Sequence, residues 1–439
     1  MLKKIIVDKF GGGVMNKESM PLIKKRLQEQ IAAGNYPVAV VSAFKGITDE
    51  IILFLRKMEK NSSADCGLFA KKLFKKHINI VSPRGTAENK LKKIFVDFEK
   101  DLSAFGSSGG TIELKAKISS YGEKFSAILT AEYLDSMGMP AKEFFAEDIP
   151  IITNDNFNDA DIEYGISEKN IGKKFLNLKQ IPVIAGFSGR TAGGQTTVLG
   201  RGGTDTTACF AAAALRADKV ILWKNTRGVL SADPKIVPEA KTISRLSYDE
   251  AEESGKIIHE KAMRYVKLFK IPAEIACLAD ARRKTEVGEA RREKKGAQIA
   301  SFKKNLVLFI ITDEAAKMAD LLSSTCQVFA KHKVDIVLIS NARHILQIAA
   351  DNSNGLLEKV FQELKNKASS VKAAKASMVF LIGNFNADDV NDFNDILIKH
   401  KAGMQISAFF YENCARIEAI IKTDKTEDMV RILHKKFIK

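Results

Sequence analysis

A lysine, Lys9, sits near the end of a short apolar run (IIVDKF) and is followed within two residues by three glycines, Gly11, Gly12 and Gly13. Further along, residues 186–215 read GFSGRTAGGQTTVLGRGGTDTTACFAAAAL, a glycine-rich stretch that carries Arg201 and ends in alanines. Alanine is the best helix former, and Thr204 and Asp205 stand where N-caps belong, so a helix is expected to start there. A glycine-rich loop feeding a helix N-terminus cradles anions, because free backbone N–H groups and the positive end of the dipole point outward together. Arg201 adds a planar fork suited to a carboxylate or a phosphate. Each feature alone has a plainer reading: the loop as a flexible connection, Lys9 as a solvated strand-end lysine. Their occurrence in one chain points to chemistry on anions.

Composition narrows the class of protein. At 439 residues the chain exceeds one compact core, so two or three domains are expected. Its 45% hydrophobic and 28% charged residues are those of a soluble globular protein, with no apolar run long enough to span a bilayer. The N-terminal apolar run is too short for a signal-peptide core and reads as a strand. Five scattered cysteines without a CxxC pair argue against a disulfide framework or a zinc site, and suit a reducing cytoplasm. A net charge of +16 raises the question of nucleic acid. The lysines are spread throughout and not interleaved with aromatics, so no nucleic-acid partner is expected; attraction of anionic small molecules explains the charge as well.

The elements that must hold these residues are legible as apolar runs. Lys3–Lys9, Pro37–Ala43, Ile181–Ala185 and Lys219–Trp223 are continuous rather than alternating, as in strands covered on both faces of a parallel sheet. Helices are expected at Lys17–Ala33, through much of residues 61–117 with a break at Ser107–Gly110, and at Ser119–Ser136. A shorter strand is expected at Ala141–Phe145. The segment 281–300, half of it charged, reads as a linker. Beyond it the order strand–helix–strand–strand occurs twice, from Leu306 to Ala349 and from Met378 to Ile421, with Lys-His-Lys after the helix in both copies (Lys331–Lys333, Lys399–Lys401). This is the pattern of a tandem βαββ repeat.

Six ordered motifs carry a resemblance. KFGGG (Lys9–Gly13), VVSAFKGITD (Val40–Asp49), SSYGEKFSA (Ser119–Ala127), LGRGGTDTTA (Leu199–Ala208), WKNTRGVLSADPK (Trp223–Lys235) and SGKIIHEKA (Ser254–Ala262) together resemble the aspartate kinases of the amino-acid kinase superfamily. The resemblance covers nearly the whole chain. It implies an α/β fold: a three-layer α/β/α kinase domain over residues 1–280, the linker, then two small α+β ACT-like units at 301–370 and 371–439.

It also implies roles. Lys9 would stabilise charge on the transferred phosphoryl group, with Asp205 orienting it. Arg201 would clamp the α-carboxylate of aspartate and Glu123 its ammonium group, while Ser42 and Thr48 line the amino-acid pocket. Gly11, Gly12, Lys224, Asn225, Lys235 and Lys256 would contact the nucleotide. ATP and Mg²⁺ are implied, the ion held by phosphate oxygens and water rather than by protein ligands. A carboxylate acceptor is already ionised at pH 7, so no general base is needed. The partners implied are ATP, L-aspartate and further copies of this chain joined through the ACT-like units, in the cytoplasm, with no membrane.

The chain also departs from the family pattern. Gly13 and Val14 replace hydroxyl residues, Lys224–Asn225 replaces Thr-Asp, and Leu230, Lys235 and Glu260 replace an aromatic, an arginine and a proline. ITDEAAKMAD (Ile311–Asp320), ISNARH (Ile339–His344) and FFYENCAR (Phe409–Arg416) lack the glycine, proline and hydroxyl residues of the family's effector loops, which argues against feedback by lysine or threonine. Two alternatives stay open: a kinase of glutamate or acetylglutamate, and a catalytically weak regulatory paralogue.

Overall fold

The structure, a computed structural model, describes residues 3–60, 65–107, 109–175, 178–254, 258–289, 296–353, 355–410 and 415–438. Its contacts divide the chain into two compact units: residues 1–229 with 242–290, and residues 230–241 with 291–439.

The first unit opens with β1 (Ile5–Phe10), α1 (Met20–Ala32), β2 (Tyr36–Val41) and α2 (Ile47–Lys60). The long helices α3 (Cys66–Ile80), α4 (Gly85–Ser107) and α5 (Ile112–Ser136) come next. They lead to β3 (Ala141–Phe144), β4 (Ile152–Thr153), α6 (Tyr164–Phe175), β5 (Ile181–Ala185), β6 (Ser188–Thr191), β7 (Thr196–Val198), α7 (Gly203–Ala214) and β8 (Lys219–Lys224). After the short strands β9 (Val229–Leu230), β10 (Thr242–Ile243) and β11 (Arg245–Ser247), the unit ends with α8 (Tyr248–Glu253), α9 (Glu260–Leu268), β12 (Ala273–Cys277) and β13 (Lys284–Gly288).

Eight strands form its sheet in the order β11-β13-β12-β8-β1-β2-β5-β3, parallel except where β12 meets β13. The apolar runs read from sequence supply its centre, with β1 between β8 and β2. Even-numbered β1 residues Ile6 and Phe10 join a core with Met20, Ile23 and Leu27 of α1, Ile51 and Leu55 of α2, and Phe125 and Ile128 of α5. On the other face every residue of α7 is buried, because α6 and α9 cover it in turn. A helix packed on both sides needs small side chains, which is why this one is rich in alanine and threonine.

The second unit begins with β14 (Gly296–Thr312), α10 (Met318–Lys331), β15 (Ile336–Ala342), β16 (Ile345–Asp351) and α11 (Leu357–Lys365). The pattern then repeats as β17 (Ser370–Asn384), α12 (Ala387–Lys399), β18 (Gly403–Phe410), β19 (Ala415–Lys422) and α13 (Thr426–Phe437). The repeats join in one six-stranded sheet, β15-β16-β14-β17-β19-β18, through antiparallel pairing of β14 with β17. Each repeat keeps its own core, one around Phe309, Phe329 and Ile348 and the other around Val379, Phe393 and Leu433.

Three expectations need correction. The charged segment 281–300 is not a plain linker. Lys284–Gly288 is a strand whose Thr285 and Val287 point inward, while Lys284 pairs with Glu274 and Glu286; β14 has already begun at Gly296. Alternation over so few residues is easily lost among charges. The glycine-rich stretch holds the β6–β7 hairpin, paired from Ser188↔Val198 to Arg190↔Thr196. Thr204 and Asp205 are not N-caps: α7 starts at Gly203, capped by Gly202 at φ 72°, and both lie in its first turn. Among the described residues, no helix is long and apolar enough to cross a membrane.

Candidate active site

β1 delivers Lys9 to the α7 face of the sheet, the side opposite Ile6 and Phe10. There its ammonium lies 2.5 Å from an Asp205 carboxylate oxygen, with both side chains nearly inaccessible. Burial opposes ionisation of Asp205, but the positive charges of Lys9 and Lys224 outweigh it and hold the carboxyl below its usual range. Lys224, which ends β8, feels both neighbours. Burial lowers its ammonium below the ordinary value, Asp205 pulling it up and Lys9 pushing it down. The site thus gathers two lysines around one buried carboxylate, where an incoming anion would be attracted.

From Asp205 the site continues through covalent neighbours. Thr204 accepts a hydrogen bond at 2.9 Å from the Ser42 hydroxyl, at the end of β2. The next residue, Ala43, donates its N–H to Glu123 Oε1 at 3.1 Å. Glu123 is 3% exposed, and its Oε2 is buried without a hydrogen-bond partner among the described residues. Burial pushes this carboxyl up to about 8, opposed by the Ala43 N–H. A buried acceptor with a vacant oxygen is the environment an ammonium ligand would complete. Thr48, in the first turn of α2, lies against α5 beside Gly122.

The glycines allow close approach. A Cβ at Gly11 would stand 2.9 Å from Lys9 Nζ, and one at Gly186 would stand 2.5 Å from Thr204 Cγ2 and 3.1 Å from Thr204 Cα. Gly186→Ala is therefore expected to push the start of α7 away from β5 and cost about 1–3 kcal/mol of stability. A urea midpoint equal to that of the parent chain would contradict this packing. Gly12 lies near Ser42 and Ala43, and Gly13 is tied to the end of β8 by Asn225 Nδ2, which donates to the Gly13 carbonyl at 2.7 Å.

Arg201 is exposed just before the Gly202 cap and makes no hydrogen bond or ion pair with the described residues, while the N-terminus of α7 is uncapped by any side chain. Two expected nucleotide contacts lie outside the described residues of the first unit. Lys235 belongs to the second unit, where Ala232, Ile236 and Val237 are built into the core around Val379. Lys256 lies outside the described residues. Two participants were missed in the sequence. Thr204 is one, hidden because its partner Ser42 is 162 positions away. His259 is the other: it packs against Gly202 and acts electrostatically on Asp205, helping to lower its carboxyl.

Two buried carboxyls set a pH signature. Glu123 rises from 4.5 to about 8, and Asp8, on the other face of β1, from 3.8 to about 7. In those windows the folded chain holds protons that the unfolded chain has released, so these groups make stability fall as pH rises. Glu123→Gln is expected to flatten the decline in thermal midpoint between pH 4.5 and about 8. An unchanged slope would contradict a protonated, buried Glu123.

Comparison with known proteins adds to this geometry. The profile of the amino acid kinase family matches residues 4–277. The chain is 29% identical to an aspartokinase of Rickettsia prowazekii over 276 residues, which is 62% of this chain and 51% of that protein. It thus spans about half the length of this bacterial relative. It is 25% identical to the chloroplastic aspartokinase 3 of Arabidopsis thaliana over 99% of this chain and 82% of that one. Among solved structures, E. coli aspartokinase III in complex with aspartate and ADP has a TM-score of 0.80 at 20% identity, covering 98% of this chain and 99% of that one. Clostridium acetobutylicum aspartate kinase has a TM-score of 0.78 at 22% identity, covering 98% and 100%. At these identities the structural likeness is one of fold.

Proposed function

Because the chain belongs to the amino acid kinase family, we propose that it is an aspartate kinase, transferring the γ-phosphoryl group of ATP to the side-chain carboxylate of L-aspartate. The observation that carries this reading is the continuous path from the Lys9–Asp205 pair, through Thr204–Ser42, to the buried and half-satisfied Glu123. It would join a cation for the phosphoryl group to an acceptor for an ammonium, the two needs of an amino-acid phosphorylation site.

In the reaction an aspartate carboxylate oxygen forms the new bond to the γ-phosphorus while the bond to the β–γ bridging oxygen breaks, giving 4-phospho-L-aspartate and ADP. No proton needs to move. The task is to bring two anions together and stabilise the charge on the transferring group, so positioning and electrostatics supply the catalysis. Lys9 meets that charge, held in place by Asp205. Arg201 takes the α-carboxylate, Glu123 the ammonium, and Ser42 and Thr48 border the substrate. Gly11, Gly12, Lys224 and Asn225 form the nucleotide end, with Lys256 completing it. Among the described residues no group of three or more His, Cys, Asp or Glu side chains could hold a metal ion. Mg²⁺ would enter on the triphosphate and supply charge neutralisation there.

The βαββ repeats are read as ACT-like units that join copies of the chain through the outer strands of their sheet, β15 and β18. The enzyme would work in the cytoplasm, at the first step toward lysine, threonine, methionine and diaminopimelate. The test is ADP release from Mg-ATP with L-aspartate, L-glutamate and N-acetylglutamate in parallel. Turnover with aspartate alone is expected. A preference for either other acceptor, or ATP binding without turnover on any, would overturn the reading.

A further inference from the structure

Asp8 is a carboxyl group that the phosphoryl-transfer reading leaves unused. It is fully buried on the apolar face of the sheet, between Ala39 of β2 and Ile221 of β8 in the strand register and flanked by Ile6 and Phe10 on its own strand. Its Oδ1 accepts a 2.8 Å hydrogen bond from the indole Nε1–H of Trp223, and its Oδ2 has no hydrogen-bond partner among the described residues. Burial pushes the carboxyl up, the Trp223 bond opposes this, and Glu274 adds to the rise. The indole is itself held firmly. It stacks on Phe10 with ring centroids 6.5 Å apart, and the guanidinium of Arg26 lies over it at 5.3 Å while donating to the Leu278 carbonyl.

Apolar side chains in place of both Asp8 and Trp223 would fill this space without leaving an oxygen desolvated and unpaired, so the polar pair is a poor choice for stability alone. Its value lies in its neighbour along the chain. β1 and β8 run side by side, with Lys9 opposite Leu222 and Phe10 opposite Trp223. The residue after Asp8 is Lys9 and the residue after Trp223 is Lys224. Strand alternation sends both lysines to the opposite face, where they act together on Asp205. Two like charges there push the strand ends apart, and the Asp8–Trp223 bond ties those same ends together from behind.

We propose that Asp8 is a positioning residue: its hydrogen bond to Trp223 locks the ends of β1 and β8 and so fixes the spacing of Lys9 and Lys224 that receives the nucleotide phosphates. This rests on the kinase reading above. It is open to direct measurement because Trp223 is the chain's only tryptophan, so intrinsic fluorescence reports this bond without interference.

The test compares the parent chain with Asp8→Leu, Asp8→Asn, Trp223→Phe and the Asp8→Leu/Trp223→Phe double variant. Asp8→Leu is expected to shift the Trp223 emission and raise KM for Mg-ATP roughly tenfold while KM for aspartate changes little. Asp8→Asn, which keeps an acceptor, should return both emission and KM close to the parent values. Trp223→Phe, which keeps a ring but loses the donor, should reproduce the KM of Asp8→Leu, and the double variant should add nothing further. Parent-like KM for Mg-ATP in Asp8→Leu, or additive effects in the double variant, would overturn the inference alone. Should Asp8→Leu not fold, Trp223→Phe and Asp8→Asn decide: a parent-like KM in Trp223→Phe overturns it and a raised one supports it. A parent chain without ATP-dependent turnover would overturn the kinase reading and this inference together.

Discussion

Lys9→Ala is expected to lower kcat by on the order of 10³-fold while KM for aspartate stays within a few-fold of the parent value. The reasoning is electrostatic. On the proposed reading, Mg²⁺, Lys224 and the glycine loops would also meet the charge of the ground-state substrates, whereas the charge that moves during transfer would develop at the ammonium that the end of β1 presents. A group that acts on the transition state is lost from kcat rather than from binding. The variant leaves Asp205 buried with Lys224 and His259 still acting on it, so part of the electrostatic support survives and the fold should persist. Thermal denaturation beside the kinetics separates loss of catalysis from loss of structure. Asp205→Asn is a useful companion, because it leaves Lys9 and Lys224 facing each other without the intervening anion.

The second large effect has the opposite form. Arg201→Ala should raise KM for aspartate by on the order of 100-fold and leave kcat at saturating aspartate largely intact, as expected for removing a charged hydrogen-bonding clamp on a part of the substrate that does not react. Arg201 makes no hydrogen bond or ion pair with the described residues, so its loss opens no gap in the protein and should not move the thermal midpoint. Steady-state kinetics with aspartate and ATP varied separately would check this. If both variants lost kcat alike, or neither changed, the division of labour between the β1 end and the α7 loop would be wrong.

How much is legible in the sequence depends on the range of the interactions involved. The central strands are legible because burial on both faces forces continuous apolar runs, and the buried helix α7 because a tightly covered helix forces small residues. The tandem βαββ units are legible as a repeated order of elements. Local chemistry thus gives Lys9 and Arg201 as candidates, and resemblance supplies Asp205, which the local pattern reads as a cap, and Glu123, whose buried state no local pattern announces.

The hidden features are set at long range or masked by composition. Gly202 rather than Thr204 or Asp205 caps α7, because close packing against His259 and a positive φ demand glycine there. The strand Lys284–Gly288 is concealed by charges that pair across the sheet with Glu274. Leu230–Lys241 reads as part of the nucleotide loop, yet Ile236 and Val237 pack with Val379 and Leu433, and the Ser231 hydroxyl lies 2.9 Å from His434 Nε2. No sequence window joins residues two hundred positions apart. For the same reason Asp8, which reads as an interruption in an apolar strand, gains meaning only once Trp223 is placed beside it.

The most direct measurement is product identification with hydroxylamine present: the chain, Mg-ATP and L-aspartate, with the trapped product identified by mass. Aspartate β-hydroxamate, formed in step with ADP and abolished in Lys9→Ala, is the expected result. ADP formed without hydroxamate, or hydroxamate formed equally well by Lys9→Ala, would contradict a Lys9-centred phosphoryl transfer to aspartate.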